Sequence, residues 1–128
     1  MNKSKKIITR REILVSIGIP TFNRPYELVS CLKNLINQTY KNLEIIVVDN
    51  NSDQDIKKNL YSSEIFLDKR IRVIKNKHNI GILKNAELAL KFAKGEFFCW
   101  VSDDDWRSDT FIEDLLKLSI KNPNQAIY

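Results

Sequence analysis

The stretch "LEIIVVDNNSD", residues 43–53, decides the fold. Apart from Glu44, its first six residues are apolar and rich in β-branched side chains, which is typical of a strand buried on both faces of a sheet. The run stops at Asp49, and the polar residues after it favour a turn. The stretch therefore predicts a buried strand that ends in a polar cluster.

Three other segments repeat this arrangement of an apolar run followed by a polar cluster. They are "ILVSIGI" (13–19) before "PTFNR" (20–24), "IRVIKN" (71–76) leading into "NKHNIG" (76–81), and "FFCWV" (97–101) before "SDDDW" (102–106). We interpret the last run as a fourth buried strand, with Trp100 in the core. The segment "QAIY" (125–128) resembles the beginning of a fifth strand.

Segments with helical spacing separate these strands. The first predicted helix begins at Pro25, a residue that suits the first turn, and reaches about Gln38. The other helices are marked by Ile56 and Leu60, by Ile82, Ala86, Ala89 and Ala93 with Gly95 as the C′ stop, and by a Thr110–Glu113 capping box with Pro123 at the end.

The order β-α-β-α-β-α-β-α predicts an α/β fold: a mainly parallel, Rossmann-like sheet with helices on both faces, ending after four to five strands. Ligands of such sheets bind outside the carboxyl ends of the strands. We therefore expect the four polar clusters to meet at one edge and form a binding site.

Composition excludes several classes of protein. The length of 128 residues favours one domain. The net charge is +5, and the basic residues are scattered apart from one cluster in the tail at 1–11. That tail is either solvated or in contact with anionic lipid or phosphate. No apolar run approaches the ~18 residues of a membrane span. Two cysteines, expected in the core, and one histidine argue against a disulfide framework, a zinc site or a Ser-His triad. We expect a cytoplasmic protein without a nucleic-acid partner.

The acidic triplet Asp103, Asp104 and Asp105 needs a counter-charge or full solvation. Carboxylates about 5 Å apart repel by roughly 3 kcal/mol per pair at an effective dielectric near 20. A helix N-terminus would favour one or two of them. The other interpretation is a divalent cation, Mn²⁺ or Mg²⁺, since carboxylates are hard oxygen ligands and the ion would also offset a bound diphosphate. Trp106 either lines the pocket or lies on the surface.

The other clusters each allow a structural and a functional interpretation. Asp49 either starts an Asx turn or accepts a hydrogen bond from a base or ribose. Asn23 is either a helix cap or a ligand-binding residue. Asn79 and Asn85 are either turn and cap residues or part of a binding loop, in which Gly81 supplies backbone freedom.

Residues 13–128 resemble the N-terminal, nucleotide-binding half of the family 2 glycosyltransferases of the GT-A fold. The resemblance rests on "VSIGIPTFNRPYELVSCLKNLINQTYKNLEIIVVDNNSDQ" and "NIGILKNAELALKFAKGEFFCWVSDDDW". It implies that residues 20–24 form the loop under the base and that Asp49 lies near the base, usually uracil. It also implies that Asp103 faces the ribose and that Asp105, with Asp104 as a further candidate, holds the metal.

The residues implied by the resemblance form two sets. The nucleotide-binding set is Pro20, Thr21, Asn23, Arg24, Asp49, Asn50, Asn51, Asn79, Gly81, Asn85, Asp103 and Asp104, and the metal ligands are Asp103 and Asp105. Many members of the family carry a second aspartate where this chain has Asn50. An amide can donate as well as accept a hydrogen bond, so the nucleotide base stays open.

The resemblance implies a metal-dependent, inverting transfer of a sugar from a nucleotide sugar, most often a UDP-sugar, to an acceptor hydroxyl. The acceptor would be a glycan, a lipid-linked molecule or a protein, as in polysaccharide biosynthesis. A peripheral contact of the protein with the inner face of the membrane is also expected. The general base is expected beyond Tyr128, so the chain by itself is expected to be inactive. The alternative is a non-catalytic nucleotide-sugar-binding or assembly module.

Two other classes fit the sequence poorly. A phosphoacceptor receiver domain needs acidic residues after strands one and three, where this chain has "PTFN" and "NKHN". A dinucleotide-binding module needs G-x-G-x-x-G after the first strand, whereas glycine occurs only at 18, 81 and 95.

Overall fold

The computed structural model describes residues 13–125, which alternate between strands and helices. The elements are β1 (Val15–Thr21), α1 (Pro25–Ile36), β2 (Leu43–Asp49), α2 (Ile56–Ser62), a 3-10 turn (Ile65–Leu67), β3 (Ile71–Lys75), α3 (Ile82–Phe92), β4 (Phe97–Trp100) and α4 (Phe111–Lys121). The predicted tail at 1–11 and residues 126–128 of the predicted fifth strand lie outside the described residues.

The four strands form one parallel sheet in the order β3-β2-β1-β4. In the register, Thr21 lies beside Asp49, and Asp49 lies beside Lys75. The carboxyl ends of β1, β2 and β3 are therefore level with one another. This arrangement confirms the predicted α/β fold and places the polar clusters along one edge.

The two central strands bury both of their faces, as their apolar runs predict. Along β2, Ile45 and Val47 pack in the larger core cluster, whereas Ile46 and Val48 pack in the smaller one. This alternation follows from the two-residue period of a strand. The larger core lies against α1, α2 and α4, and the smaller core lies against α3, so helices cover both faces.

A glycine in β1 allows α3 to approach the sheet closely. A Cβ atom on Gly18 would lie 2.7 Å from the ring of Phe98 and 2.8 Å from the Cβ of Ala89. Both distances are shorter than carbon atoms tolerate, because non-bonded carbons are most stable at about 3.5–4.0 Å. Any larger residue at this position would push α3 or the Phe98 ring away.

Strand β4 is only partly buried, which corrects the prediction of a fourth buried strand. It pairs with β1 alone among the described residues, so it is an edge of the sheet there. Trp100, predicted to be in the core, is 50% exposed. The sequence of "FFCWV" does not reveal this, because an apolar edge strand and an apolar central strand have similar composition.

Two predicted helix ends also differ from the structure. Helix α3 ends at Phe92 with Ala93 as its C-cap, and Gly95 is not in the left-handed region. The Thr110 half of the predicted capping box does not form, since its hydroxyl donates to Asp114 Oδ2 at 2.9 Å. Helix α4 nevertheless begins where the pattern predicts.

A carboxylate ties three segments together at the amino edge of the sheet. Glu44 Oε1 accepts hydrogen bonds from Ser16 Oγ at 2.5 Å, from the backbone N–H of Gly95 at 3.2 Å, and from that of Lys94. Burial by itself would raise the pKa of Glu44, but the hydrogen bonds from Ser16, Lys94 and Gly95 outweigh it and hold that pKa below its ordinary value. A Cβ atom on residue 95 would lie 2.5 Å from Ser16 Oγ and 2.7 Å from the carbonyl oxygen of Leu14, so this close approach, rather than a helix stop, explains Gly95.

Both cysteines are free thiols: Cys31 is buried and Cys99 is partly buried, in line with the predicted core positions. Burial raises the pKa of Cys31 to about 11. None of the helices described between residues 13 and 125 is long and apolar enough to cross a membrane.

Candidate functional site

A cleft of about 510 Å³ opens at the carboxyl edge of the sheet. The ends of β1, β2 and β4 contribute to it, together with the first turn of α3. Its lining residues are Pro20, Thr21, Phe22, Arg24, Asn50, Ile82, Asn85, Ala86, Trp100, Val101, Ser102 and Asp103. The family resemblance implies a nucleotide-binding role for six of them: Pro20, Thr21, Arg24, Asn50, Asn85 and Asp103. Apart from Asn85, these residues come from the polar clusters that follow β1, β2 and β4.

Two members of the acidic triplet share one arginine. Asp103 is 6% exposed, and its Oδ2 accepts a hydrogen bond from Thr21 Oγ1 at 2.8 Å. Its other oxygen lies 3.4 Å from Arg24 Nη1. The same Arg24 nitrogen donates to Asp104 Oδ2 at 2.7 Å, while Asp104 Oδ1 accepts from Ser102 Oγ at 2.5 Å. The guanidinium of Arg24 therefore supplies positive charge between these two carboxylates.

The two carboxylates titrate differently because their surroundings differ. Burial raises the pKa of Asp103, although the hydrogen bond from Thr21 and the charge of Arg24 oppose this. The pKa of Asp104 is lowered, first by the hydrogen bond from Ser102 and then by the one from Arg24. The hydrogen bond to Asp104 in turn raises the pKa of Arg24. On acidification, Asp103 is therefore protonated before Asp104.

Asp105 turns toward a different arginine. Its side chain is 60% exposed, and its Oδ2 lies 3.6 Å from Arg107 Nη2. Asn34 fixes the backbone of Arg107 by donating to its carbonyl at 2.7 Å and accepting from its N–H at 3.1 Å. The Arg107 guanidinium lies 5.2 Å above the centre of the Phe111 ring. Sequence reasoning missed Arg107 as a site residue, because the Asn34 that fixes it lies far away in sequence.

Asp49 starts an Asx turn at the end of β2, as one of its two interpretations predicts. It is buried, and its Oδ1 accepts from the backbone N–H of Ser52 at 2.9 Å and from Ser52 Oγ at 2.6 Å. Ser52 Oγ also accepts from the backbone N–H of Asn23 at 2.8 Å. The Asx turn at the end of β2 therefore positions the loop after β1.

Asn23 does not cap α1, so the cap interpretation is wrong. The N-cap is Arg24, and Asn23 has a φ of +54°. The Asn23 side chain donates to Asp53 Oδ2 at 3.0 Å and accepts from the backbone N–H of Asp53 at 2.9 Å. This reciprocal pair joins the loops after β1 and β2. Pro25 is in the first turn of α1, as predicted.

Asn50 is occupied by contacts within the protein. Its Nδ2 donates to Asn79 Oδ1 at 2.9 Å, and its Oδ1 accepts from Asn76 Nδ2 at 3.1 Å and from the backbone N–H of Ile80 at 2.9 Å. The side chain therefore uses its donor and its acceptor at the same time. An aspartate could not make this set of contacts in its ionised form, because it has no donor.

The same amide network reaches the first turns of α3. Asn85 donates to the carbonyl of Val48 at 2.9 Å and accepts from Asn76 Nδ2 at 2.8 Å. Asn79 Oδ1 also accepts from the backbone N–H of Gly81 at 2.9 Å. Gly81, with a φ of +86°, is the N-cap residue of α3. We call Asn50, Asn76, Asn79 and Asn85 the amide network; it holds the β3–α3 loop against the end of β2.

The cleft has an aromatic wall that the sequence did not predict. Trp100 lines it, and its Nε1 donates to the carbonyl of Ala86 at 3.1 Å. The Phe98 ring packs edge-on against Trp100, with centroids 4.8 Å apart. Trp106, in contrast, is 77% exposed and does not line this cleft. Asn51, at a φ of +66°, does not line it either.

Comparison with known proteins identifies the family. The family model described as "Glycosyl transferase family 2" matches residues 16–128. The chain belongs to glycosyl transferase family 2. This confirms the family that the sequence motifs resemble, and the parallel sheet agrees with the fold of its structural neighbours.

Three similar proteins illustrate the relationship. The Escherichia coli UDP-Glc:alpha-D-GlcNAc-diphosphoundecaprenol beta-1,3-glucosyltransferase WfgD is 27% identical over 117 residues, which cover 91% of this chain and 45% of WfgD. The structure of Staphylococcus aureus TarS 1–349 in complex with UDP is 26% identical, with a TM-score of 0.74, over 85% of this chain and 32% of that one. A further TarS structure contains UDP-GlcNAc.

The third match shares the fold at lower identity. The mannosyltransferase PcManGT from Pyrobaculum calidifontis, in complex with GDP-Man and Mn²⁺, is 23% identical, with a TM-score of 0.74, over 82% of this chain and 32% of that one. The chain spans less than half the length of the curated relatives it matches.

Proposed function

We propose that the cleft binds a nucleotide-sugar donor and that this chain is the donor-binding part of a glycosyltransferase. The observation that carries the proposal is the meeting of three strand ends in one cleft, with Thr21 and Arg24 from the end of β1, Asn50 from β2 and Asp103 from β4. Family membership supports it, and so do the UDP and UDP-GlcNAc complexes of TarS. We propose a UDP-sugar as the donor.

The residues divide into those that face the donor and those that position them. Asp103, held by Thr21, is proposed to face the ribose, and Phe22 and Trp100 offer aromatic surface to the base or sugar. Asp49 and the amide network position the cleft without facing the donor, because their hydrogen bonds fix the loop after β1 and the β3–α3 loop. Base selection by the Asn50 side chain is disfavoured by its three contacts within the protein.

The acidic triplet has the chemistry to hold Mn²⁺ or Mg²⁺, for which we propose Asp103 and Asp105. Within residues 13–125, no group of three or more His, Cys, Asp or Glu side chains could hold a metal ion. In nucleotide sites such ions commonly use one or two carboxylates and complete their shell with phosphates and water. Asp103 lines the cleft, whereas the Asp105 side chain contacts Arg107 and has to turn to join it. When bound, the ion would stabilise negative charge on the departing diphosphate.

We propose that the transfer inverts the configuration of the sugar. In a single displacement, the acceptor hydroxyl attacks the sugar C1 opposite the departing diphosphate, which reverses the stereochemistry there. This step needs a general base within hydrogen-bond reach of the hydroxyl. We assign that role to none of the residues that the structure describes, 13–125.

We propose that the enzyme is cytoplasmic and that some of it lies peripherally at the inner face of the membrane. Its proposed acceptor is a glycan, a lipid-linked molecule or a protein. The name of WfgD, which describes a diphosphoundecaprenol acceptor, favours the lipid-linked class. The alternative, a non-catalytic nucleotide-sugar-binding or assembly module, would share the cleft but lack transfer.

Titration calorimetry of the 128-residue chain with UDP, with and without Mn²⁺, tests the donor site. We expect binding that Mn²⁺ strengthens and that Asp103→Asn weakens by about tenfold, since a charge-assisted contact contributes roughly 1.5–3 kcal/mol. Asp109→Asn, a change of an exposed aspartate that does not line the cleft, is the control. No binding by a chain that circular dichroism shows to be folded would contradict the proposal.

A further inference from the structure

Arg24 is a cation between two carboxylates at the rim of the cleft. A single nitrogen, Nη1, lies 2.7 Å from Asp104 and 3.4 Å from Asp103, and the side chain is half exposed. Arg24 also lines the cleft, so its guanidinium is within reach of a ligand there. One of its two present partners, Asp103, is therefore a carboxylate that the proposed metal ion would also use.

Two cations beside the same carboxylate repel each other and compete for its oxygens. The proposed function gives Asp103 to a divalent ion, yet Arg24 already contacts that carboxylate. A donor diphosphate changes the balance, because a guanidinium binds phosphate oxygens well through paired N–H groups. It offers Arg24 a second anionic partner in the same cleft.

We infer that Arg24 is an exchangeable counter-ion, which pairs with Asp103 and Asp104 in the free protein and moves to the donor diphosphate when a divalent ion takes Asp103. The inference rests on the proposed donor site. It assigns Arg24 a positioning role toward both the metal ion and the diphosphate.

The local contacts allow this exchange without loss of structure. The Arg24 backbone is fixed as the N-cap of α1, where its carbonyl accepts from the N–H of Leu28 at 3.0 Å. Asp103 keeps its hydrogen bond from Thr21, and Asp104 keeps its hydrogen bond from Ser102, when the guanidinium leaves. Only the half-exposed end of the Arg24 side chain has to move.

The exchange makes metal and diphosphate binding cooperative. A metal ion alone must displace Arg24, and a diphosphate alone must draw Arg24 away from its two carboxylates. Each ligand therefore prepares the site for the other, and the coupling is reciprocal by thermodynamic linkage. Replacing Arg24 by a neutral residue removes both the competition and the phosphate contact.

The experiment compares Arg24→Met with the unchanged chain. Mn²⁺ binding without nucleotide is followed by the electron paramagnetic resonance of the free ion, and binding of UDP and of uridine without metal is followed by calorimetry. We expect Arg24→Met to bind Mn²⁺ about fivefold more tightly and UDP about fivefold more weakly, with uridine unchanged, because an exposed ion pair makes only a small contribution to affinity.

The matched control is Lys75→Met, which removes the same charge at the same edge of the sheet. Lys75 Nζ contacts the carbonyl of Ser52 at 3.3 Å rather than a carboxylate of the triplet. We expect this variant to change the Mn²⁺ affinity by less than about twofold, because no carboxylate of the triplet loses a partner. An equal gain in both variants would mean that net charge, not exchange at Arg24, is responsible, and would overturn the inference.

Two further outcomes would overturn it. One is an unchanged or weakened Mn²⁺ affinity in Arg24→Met whose circular dichroism spectrum is that of the unchanged chain. The other is an equal loss of UDP and uridine affinity, which would place Arg24 at the base. If the unchanged, folded chain binds no UDP, the donor site itself fails and the exchange fails with it, whereas intact UDP binding with unaltered Mn²⁺ affinity refutes the exchange alone.

Discussion

Replacing Asn50 by aspartate tests whether the amide network fixes the β3–α3 loop. The substitution keeps the size of the side chain but removes the Nδ2 donor that reaches Asn79 Oδ1 at 2.9 Å. In its ionised form it places two acceptors against each other at a site that is almost completely buried. The other oxygen can still accept from Asn76 and Ile80, so only one contact is reversed.

The expected cost combines two effects. Loss of the hydrogen bond costs about 1 kcal/mol, and leaving the new carboxylate oxygen at the buried position 50 without a donor adds about 1–3 kcal/mol. Asn79 itself is exposed, and its Oδ1 keeps the hydrogen bond from the Gly81 N–H. We therefore expect Asn50→Asp to lower the free energy of unfolding by about 2–4 kcal/mol at neutral pH. Asn124→Asp, at an exposed position near the end of the described chain, is the matched control and should change it by less than about 0.5 kcal/mol.

The pH dependence provides a second check. When the introduced carboxyl is protonated it can donate to Asn79, so the neutral form is favoured in the folded state and the pKa of that carboxyl is raised there. The destabilising effect should therefore be full above that folded-state pKa, shrink as the pH falls below it, and vanish only below the unfolded-state pKa. Urea unfolding followed by tryptophan fluorescence at about pH 7 and about pH 4.5 measures both values. A cost below about 0.5 kcal/mol at neutral pH, or the same cost at both pH values, would refute the reasoning.

Three further predictions concern the cores, the amino edge and the cleft. Gly18→Ala should lower the free energy of unfolding by about 1–3 kcal/mol, because its Cβ would overlap the ring of Phe98; unchanged thermal unfolding would contradict this. Because the pKa of Glu44 is lowered by folding, its contribution to stability is complete above its unfolded-state pKa and is lost as the pH falls through the folded-state value. Glu44→Gln should therefore flatten the loss of stability in acid, measured by thermal melts from about pH 3 to about pH 7, and a parallel curve would count against the contact. UDP binding should quench the fluorescence of Trp100 but not that of Trp106, so Trp106→Phe should keep the signal and Trp100→Phe should lose it; a signal that survives in Trp100→Phe would place the ligand elsewhere.

The sequence predicts the centre of the sheet better than its edges. Strands β1 and β2 are continuous apolar runs because neighbours cover both of their faces, and runs of this length and composition are typical of buried strands. Strand β4 has similar composition but, within residues 13–125, pairs on one side only, so the exposure of Trp100 follows only from the strand order. The Gly95 contact was missed because it depends on Ser16 and Glu44, which are distant in sequence.

The candidate site shows the same division. The sequence placed Thr21, Arg24 and Asp103 at strand ends, and the parallel topology then required them to meet. It could not give the partner of each charge, since the Asp105 contact depends on Arg107, which is itself fixed by Asn34, 73 residues earlier. Binding roles for the individual residues stay predictions until a ligand is measured.

The two sides of the cleft are held by different kinds of interaction. One side depends on the amide network, whose side chains carry no charge at any physiological pH. The other depends on Arg24 and its two carboxylates, which added salt or acid weakens. A change of ionic strength should therefore alter the affinity of the cleft for a phosphate group but leave the conformation of the β3–α3 loop unchanged. The charged part of a ligand can then be bound more or less tightly while the surface that receives the rest of the ligand keeps its shape.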